Sequence, residues 1–362
     1  MTKMEPDSKI LTVVIPTFNR PYELTNCVAR LLPQIRSTGV RLIILDNASP
    51  APAISVIAPL LTESDSNAVT VVRHPANIGG NANILRCFEI PTTPWVWILG
   101  DDDMPSDQAI HKILDALKLH PDAAVINFNS GLLEHFGVMR TQTTISSNLQ
   151  ELGEKLDSFG NFLLISANVY RRGALLPWIR LGYYQIPTCG PHVSMVLAAI
   201  QAGSGSAVLH PNYILHWKNA APDQHWNHDQ VCFALPHIFS VILDAETRLQ
   251  FSALNESNHP KRPLKRAWMR LLRFAVLYAH PDNKPAFVLE VFLARLRSHL
   301  LSGESVVVVG MATIVHCLYA VFSPLLRLLY LLCRPICRFN IKNIEKKAPQ
   351  NPVVGMLTDD RA

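Results

Sequence analysis

Buried apolar runs alternate with amphipathic stretches along the first third of the chain. Residues 10–15 read ILTVVI, a continuous apolar run rich in β-branched side chains that stops at Pro16. Runs of this kind are typical of strands that are buried on both faces of a parallel sheet. Four further runs follow along the chain, at residues 41–45, 69–72, 95–99 and 123–128. The pattern therefore predicts five strands.

The stretches between these strands carry apolar residues at the spacing of an α-helix. In the first stretch, for example, Leu24, Val28 and Leu31 fall on one helical face. The predicted helices are residues 20–32, 54–61, 78–88 and 109–119. Strands that alternate with helices at this spacing predict a layered α/β sheet with right-handed crossovers.

Polar residues cluster where the predicted strands end. In α/β sheets, ligands bind beyond the carboxyl ends of the strands. The polar segments at these positions are residues 16–20, 46–49 and 100–103. We therefore expect a binding site to be built from these three segments.

The chain beyond residue 128 follows the alternating pattern less clearly. Residues 131–160 are polar and predict no definite element. Residues 162–170 are interpreted as a strand and residues 193–202 as a helix. Residues 210–229 are rich in His, Trp, Asn and Asp, which predicts a long loop.

The composition indicates a large core or a surface that meets a membrane. Only 17% of the 362 residues are charged, which is low for a freely soluble protein, and the mean hydropathy is slightly positive. The formal charge of +5 is compatible with phosphate-bearing substrates or anionic lipid. Because no dense basic patch with interleaved aromatic residues lies near the N-terminal pocket, nucleic-acid binding is not expected.

Cysteine usage and the N-terminus both favour the cytoplasm. The chain has seven cysteines and no C-x-x-C pair, which is typical of reduced and mostly buried thiols. Residues 1–9 are polar, include Glu5 and Asp7, and precede only a short apolar run. A secretory signal needs a basic start and a longer apolar stretch, so we expect the N-terminal domain to stay in the cytoplasm.

Three adjacent carboxylates follow the fourth predicted strand. Like charges at this spacing disfavour joint ionisation, and a hard divalent cation such as Mg²⁺ or Mn²⁺ relieves the repulsion. In this interpretation Asp101 and Asp103 hold the metal and Asp102 points elsewhere, toward a ribose. The alternative is a solvated turn that caps the next helix. The position after the strand WVWIL favours the metal site.

Two other strand-end segments allow two interpretations each. Asp46 would either hydrogen-bond the base or ribose of a nucleotide or form an Asx-turn. The glycines within residues 77–81 would either let the backbone approach a ligand or belong to an ordinary helix start capped by Asn81. Neither segment decides between its two interpretations alone.

Taken together, these segments resemble the family 2 glycosyltransferases with the GT-A fold. The resemblance covers residues 10–125 well and fades beyond Ala207. Within the family, WILGDDD is most similar to the abequosyltransferase-like bacterial branch. The matching segments are VVIPTFNR (13–20), LIILDNASP (42–50), NIGGNAN (77–83) and WVWILGDDD (95–103).

The resemblance implies a fold and a set of site residues. The fold is a Rossmann-like sheet for nucleotide-diphospho-sugars, with helices on both faces. The stretch 101–103 would serve as the D-x-D motif, in which Asp101 and Asp102 contact the donor and Asp101 and Asp103 hold Mg²⁺ or Mn²⁺. The other residues expected at the nucleotide-sugar are Pro16, Thr17, Asn19, Arg20, Asp46, Asn77 and Gly79.

The chain departs from the family at the general base. Family members commonly invert the anomeric centre with an acidic base that opens a later helix. Here that position reads Cys-Gly-Pro-His at residues 189–192, so His192 is the expected substitute because imidazole titrates near neutrality. A structural histidine is the alternative. Rival bases are Asp223, His225, His228 and Asp229, a stretch without a recognised metal-ligand spacing.

Two segments of the last third predict contact with a membrane. Residues 261–278 form a basic amphipathic helix, which would lie on an anionic membrane surface or pack on the catalytic domain. Residues 306–326 contain no charged side chain when His316 is neutral, which is long enough to span a bilayer. Pro324 and the basic residues that follow favour attachment without crossing. The two alternatives for this segment are a single membrane span and a buried helix of a soluble domain.

The sequence thus predicts three regions and one activity. Residues 1–235 form the GT-A catalytic domain, with a nucleotide-sugar half at 10–128 and an acceptor half at 129–235. Residues 236–340 are helical and membrane-associated, and residues 341–362 are a disordered tail. The expected enzyme moves a sugar from a nucleotide-diphosphate donor to a glycan or polyprenyl-diphosphate-linked acceptor. We expect this reaction in bacterial surface polysaccharide or O-antigen synthesis, at the cytoplasmic face of the inner membrane.

Two other classes of protein compete with this interpretation. A nucleotidyltransferase can share the α/β layout, but it usually has a Gly-rich basic loop after the first strand, and VVIPTFNRP has no glycine and one arginine. A non-catalytic nucleotide-sugar-binding or scaffold protein of the same fold would explain the missing acidic base.

Overall fold

The computed structural model describes residues 10–216 and 235–256. It also describes six separate positions further along, residues 314, 318, 321, 322, 324 and 325. The predicted helix at 261–278, the predicted tail at 341–362 and the rival bases at 223–229 lie outside the described residues.

The strands of the described residues join in one sheet. Their bounds are β1 Leu11–Thr17, β2 Arg41–Asp46, β3 Val69–Arg73, β4 Trp95–Ile98, β5 Met104–Pro105, β6 Ala123–Ser130, β7 Thr144–Ser146, β8 Asn168–Arg171 and β9 Ser206–His216.

Helices separate most of these strands, so the prediction of an α/β fold is confirmed. Their bounds are α1 Pro21–Thr38, α2 Ala53–Ile57, α3 Gly80–Glu89, α4 Ala109–Leu119, α5 Gly131–Phe136, α6 Leu149–Lys155, α7 Phe159–Leu163, α8 Arg172–Leu175, α9 Ile179–Tyr184, α10 Pro191–Gln201 and α11 Ala245–Glu256. A short 3₁₀ turn, Ile165–Ala167, precedes β8.

The sheet is mixed, with the order β3-β2-β1-β4-β8-β6-β9-β5, and β7 pairs with β9. Strands β1 to β4 are parallel to one another. Strand β8 runs antiparallel to both of its neighbours, β4 and β6, whereas β9 is parallel to β6. Strands β1, β2, β4 and β6 therefore point the same way, and their carboxyl ends meet at one edge.

Helices cover both faces of the sheet. Alternate side chains of β1, namely Leu11, Val13 and Ile15, pack into one buried cluster with α1, α2 and α4. On the other face, α3 contacts β1 and β4, and α10 contacts β6. Each of these strands is buried on both sides, which explains its continuous apolar sequence.

Residues 162–170 are not a single strand as predicted. Helix α7 and the 3₁₀ turn occupy most of this stretch, and β8 begins at Asn168. The Ser158 side chain accepts a hydrogen bond from the Asn161 backbone N–H and so caps α7. This local cap favours a helical turn over an extended run of the same apolar residues.

The predicted loop at 210–229 is also wrong over its first seven residues. Residues 210–216 continue β9, which pairs with β6 through irregular register near Asn129 and Ser130. Residues 131–160, for which the sequence predicted no element, contain α5, β7 and α6.

Residues 238–256 belong to the same compact unit as the residues up to 218. The Phe239 ring lies 5.2 Å from the Phe159 ring in an edge contact, and α11 packs on α6 and α7. The predicted domain boundary at 235 stays a prediction. Among the described residues, none of the helices has the length and apolar character that a bilayer crossing requires.

Candidate active site

The end of β1 turns sharply toward the end of β2. Strand β1 includes Pro16 and ends at Thr17, and α1 begins at Pro21, a residue suited to the first turn of a helix. Between them Asn19 adopts a positive φ of 54° and donates its backbone N–H to Ser49 Oγ at 2.9 Å. This turn places Thr17 and Arg20 at the edge where the strands end.

Asp101 is the centre of a hydrogen-bonded cluster at this edge. Its side chain is buried and accepts a bond from Thr17 Oγ1 at 2.6 Å. Arg20 Nη1 donates to Asp101 Oδ1 at 3.0 Å and to Asp102 Oδ2 at 2.7 Å. One guanidinium therefore holds two adjacent carboxylates, so the first and last of the three predicted polar segments, which contain these residues, meet at this edge.

The third carboxylate folds back over Gly100. Asp103 donates its backbone N–H to the Gly100 carbonyl at 3.1 Å, which closes a tight turn. A Cβ at position 100 would lie 3.0 Å from Asp103 Oδ2 and 3.1 Å from Asp102 Oδ1. A larger residue at this position would therefore have to displace the Asp102 and Asp103 carboxylates by a few tenths of an ångström.

Burial raises the pKa of two of these carboxyl groups. The pKa of Asp101 rises to about 6, chiefly because the group is desolvated. The charge of Asp102 raises this pKa further, whereas the hydrogen bond from Thr17 and the charge of Arg20 lower it. The pKa of Asp103 rises to about 7 through desolvation and the charges of Asp102 and Asp101. Three carboxyl groups share one guanidinium here, which leaves a surplus of potential negative charge.

The oxygen atoms of these three carboxyl groups suit a hard divalent cation, both as ligands and in their negative charge. Carboxylate oxygens are the ligands that such ions prefer, and a cation would offset both the burial and the mutual repulsion of these charged groups. Within the described part of the chain, however, no three His, Cys, Asp or Glu side chains are already arranged as a metal-binding group. The predicted ligands Asp101 and Asp103 flank Asp102, which Arg20 holds.

Asp46 lies below the surface of the site. It is fully buried and accepts bonds from the backbone N–H groups of Ser49, at 2.8 Å, and Ala53, at 3.0 Å. Arg73 Nη1 donates to its second oxygen at 2.5 Å. Desolvation opposes ionisation, but these hydrogen bonds outweigh it and lower the pKa of Asp46. The carboxylate shapes the loop after β2, and its predicted contact with a nucleotide stays a prediction.

The loop before α3 is fastened to the end of β2. Asn47 Nδ2 donates to Asn77 Oδ1 at 2.8 Å, and Asn47 Oδ1 accepts from the Ile78 backbone N–H at 2.9 Å. Gly79 has a φ of 87°, a conformation that favours glycine. Asn81 does not cap the helix with its side chain, because its amide donates to the carbonyls of Ile186 and Thr188.

An open surface depression lies beside this cluster. Predicted site residues Thr17, Asn19 and Arg20 line it together with Ser49, which the sequence did not single out. Ser49 could have been found from its place in the polar segment after β2. The other residues that line the depression are Pro21, Leu24, Ala51, Ala53 and Val56.

His192 does not lie in this cluster. It is 2% exposed in the first turn of α10, and its Nε2 lies 3.0 Å from the Leu163 carbonyl. Burial lowers its pKa to about 4, against the effect of that hydrogen bond. Its Nδ1 is buried with no hydrogen-bond partner among the described residues. The role of His192 as base stays a prediction, and this placement gives it no support.

One histidine of the predicted 210–229 loop lies in a strand that pairs with the residues directly after the carboxylates. Strand pairing puts His216 of β9 opposite Met104, the residue after Asp103. His216 is exposed, and its Nδ1 lies 3.2 Å from the Tyr213 hydroxyl. The signal that could have found it is the alternation of apolar and polar residues in 206–216.

Solved structures with low sequence identity share this fold. The chain matches S. aureus TarS 1-349 with a TM-score of 0.55 and 11% identity, covering 89% of this chain and 91% of that one. TarS 1-349 in complex with UDP-GlcNAc matches with a TM-score of 0.54 at 11% identity, covering 89% and 92%. The mannosyltransferase PcManGT from Pyrobaculum calidifontis, in complex with GDP-Man and Mn²⁺, matches with a TM-score of 0.50 at 16% identity, covering 88% and 86%.

A family model identifies the part of the chain that carries the site. No protein of curated function matches the sequence. The model described as Glycosyl transferase family 2 matches residues 12–175, which include the strand ends and the carboxylate cluster. The GT-A-like fold predicted from the sequence is confirmed. Residues 12–175, somewhat less than half of the chain, therefore match a glycosyl transferase family 2 domain, and the enzyme class is glycosyltransferase.

Proposed function

We propose that this enzyme transfers a hexose or deoxyhexose from a nucleotide-diphosphate donor, with inversion and with Mg²⁺ or Mn²⁺. The observation that carries the proposal is the cluster of Thr17, Arg20, Asp101 and Asp102 beside an open depression at the carboxyl ends of the strands. Similar folds have been solved with UDP-GlcNAc in TarS and with GDP-Man and Mn²⁺ in PcManGT. The abequosyltransferase-like branch is proposed from the segment WILGDDD.

The nucleoside would occupy the depression, against Pro16, Thr17, Asn19 and Arg20. Asn77 and Gly79 would lie on the ribose side, since their loop is fastened to the end of β2 through Asn47. Asp46 would act from below by holding Ser49 and the surrounding loop in place. Ser49 supports this assignment because it both lines the depression and fixes Asn19.

The diphosphate would face the carboxylate cluster. Asp101 and Asp103 would hold the metal, which when bound stabilises the negative charge on the leaving diphosphate. Asp102 is 39% exposed and would face the donor. Arg20 would orient both Asp101 and Asp102 and contribute positive charge beside the phosphates.

The acceptor hydroxyl needs a base to take its proton. His192 is the base proposed from the sequence, and it would have to leave its buried contact with Leu163 to act. Asp223, His225, His228 and Asp229 are rival bases. Exchange of each of these five residues would identify the base through the loss of transfer at unchanged donor affinity.

The acceptor is proposed to be a glycan or a polyprenyl-diphosphate-linked intermediate of bacterial surface polysaccharide or O-antigen synthesis. This places the enzyme at the cytoplasmic face of the inner membrane, attached without crossing it. Support comes from five helical residues that are each at least half exposed and whose spacing puts them on one helix face: Ile314, Leu318, Val321, Phe322 and Leu325. The next charged residues are basic, Arg327 and Arg334, which suits anionic lipid.

Donor binding is tested with a panel of UDP-, GDP-, dTDP- and CDP-sugars. Thermal stability would be measured with and without Mn²⁺, for the wild type and for the double variant Asp101→Ala/Asp103→Ala. We expect metal-dependent stabilisation by one nucleoside class and its loss in the variant. A folded wild type that responds to none of these donors would contradict the proposal.

Membrane attachment is tested separately by cosedimentation with vesicles of phosphatidylglycerol and phosphatidylethanolamine. We expect the wild type to bind and Leu318→Glu/Val321→Glu to lose binding. Leu119→Glu is the matched control, because Leu119 is also exposed but lies at the end of α4. Equal binding of the wild type and the double variant would contradict attachment through this helix face.

A further inference from the structure

Ser166 contacts the carboxylate turn at Gly100, a residue that Arg20 does not bond. It is fully buried in the 3₁₀ turn before β8, 66 positions from Gly100 in sequence. Its Oγ accepts a hydrogen bond from the Gly100 backbone N–H at 2.8 Å. Gly100 is the first residue of the turn that carries all three carboxylates, so this bond fixes where the turn begins.

A Cβ added at Gly100 would lie 3.0 Å from Asp103 Oδ2 and 3.4 Å from Ser166 Oγ, so the hydroxyl and the Asp103 carboxylate lie against the same residue. A serine hydroxyl has one proton to donate and two lone pairs to accept. Since the Gly100 N–H already donates to Ser166 Oγ, the hydroxyl proton is available for Asp103. Ser166 thus joins the backbone of the turn to the side chain of its last carboxylate.

The 3₁₀ turn that presents Ser166 is itself held on three sides. Trp97 Nε1 in β4 donates to the Ser166 carbonyl at 2.8 Å. Asn168 Nδ2 donates to the Leu164 carbonyl at 2.8 Å. His192 Nε2 lies 3.0 Å from the Leu163 carbonyl. Because these anchors come from β4, β8 and α10, the hydroxyl has little freedom to move.

We propose that Ser166 is the positioning residue that sets the carboxylate turn for the cation and diphosphate of the donor. It acts through Gly100 and Asp103 and does not itself need to touch the donor. The inference rests on the proposed function, because it assumes that the turn binds a metal and a diphosphate. Residues that orient metal ligands in this way typically change metal affinity by about 10- to 100-fold when they are lost.

The test is a titration of the whole protein with Mn²⁺, followed by the electron paramagnetic resonance signal of the free ion. It is carried out with UDP, GDP, dTDP and CDP, on the wild type, Ser166→Ala and Ser194→Ala. Ser194 is the matched control, since it is equally buried but its hydroxyl donates to the Pro191 carbonyl within α10. Thermal melting of each variant without ligand reports on folding. Should Ser166→Ala not fold, Ser166→Cys takes its place.

We expect Ser166→Ala to weaken Mn²⁺ binding about tenfold or more in the presence of the nucleotide, while Ser194→Ala binds as the wild type does. In steady-state assays of donor cleavage, Ser166→Ala should raise the Mn²⁺ concentration needed for half-maximal rate by a similar factor. Wild-type Mn²⁺ affinity in Ser166→Ala, or an equal loss in both variants, would overturn the inference and leave the proposed function intact. A wild type that binds no Mn²⁺ with any of the four nucleotides would overturn both.

Discussion

Thr17 donates its hydroxyl proton to Asp101 across 2.6 Å, and this bond joins the last residue of β1 to the turn after β4. The two strands are hydrogen-bonded neighbours, so the bond extends their pairing beyond the ladder itself. Both side chains are buried, Thr17 at 4% exposed and Asp101 at 5%. The polar edge of the site is therefore continuous with the core of the sheet.

Loss of the Thr17 hydroxyl should weaken donor binding. In Thr17→Val the Asp101 carboxylate loses a hydrogen bond to a charged acceptor, which typically contributes about 1.5–3 kcal/mol. We expect metal-dependent affinity for the nucleotide-sugar to fall about tenfold, measured by calorimetry. Thr12→Val is the control on the same strand, because the Thr12 hydroxyl bonds Thr93 away from the site. An equal loss in both variants would show that the effect is only structural.

Addition of a single methyl group at Gly100 should disturb the carboxylates. In Gly100→Ala the new Cβ would come within about 3 Å of Asp102 and Asp103, so their side chains must move. We expect donor cleavage to fall at least about tenfold while the protein stays folded, since a misplacement of about 1 Å can cost two orders of magnitude. Gly173→Ala, where no atom lies within 4 Å of the new Cβ, should retain wild-type activity.

The ion pair between Arg73 and Asp46 should contribute to stability. In Arg73→Met the buried Asp46 carboxylate keeps its two backbone donors but loses its cation. Because Arg73 is 41% exposed, we expect only about 1–2 kcal/mol of lost stability, below the range for fully buried pairs. Urea unfolding measures this value, with Arg41→Met at the exposed start of β2 as control. Unchanged stability would mean that water replaces the guanidinium at no cost.

His192 should make the protein less stable in mild acid. Its folded pKa of about 4 lies below the usual 6.5, so between these values the unfolded chain binds a proton that the folded chain does not. Stability is therefore complete above about pH 6.5 and falls as the pH is lowered toward 4. His192→Gln should show a shallower fall, by on the order of 2 kcal/mol at pH 5.

Urea unfolding at several pH values checks this expectation. His210 also has a pKa lowered to about 4, chiefly by burial, and contributes in the same direction, so some slope should persist in His192→Gln. His111→Gln on the exposed side of α4 serves as the control. A slope identical to that of the wild type would show that His192 is not buried in solution.

The first four strands and the helices between them could be predicted because their signal is local. Each strand is a continuous apolar run and each helix an amphipathic stretch, as in β1 and α1. The position of Asp101 beside Thr17 and Arg20 followed from the rule that parallel strands end at one edge. The resemblance to family 2 glycosyltransferases rested on these same segments.

The remaining features of the site could not be predicted from the sequence, because they depend on contacts between distant parts of the chain. A single serine at position 166 has no local pattern that connects it with Gly100. The sequence allowed Asp46 to face a nucleotide or to form a turn, and only the structure showed that its oxygens are engaged by Ser49, Ala53 and Arg73. The burial of His192 likewise depends on how α10 packs against the turn before β8.

Strand β8 has a consequence for how this protein is made. It lies between β4 and β6 in the sheet, although it follows both of them in the chain. During synthesis, β4 and β6 therefore lack the strand that separates them in the sheet, because β8 is translated about forty residues after β6 ends. Until residue 171 has left the ribosome, the turn with Asp101 to Asp103 lacks both its contact with Ser166 and the neighbouring strand β8. A nascent chain of 128 residues would thus contain all three carboxylates before it could hold them in their final geometry.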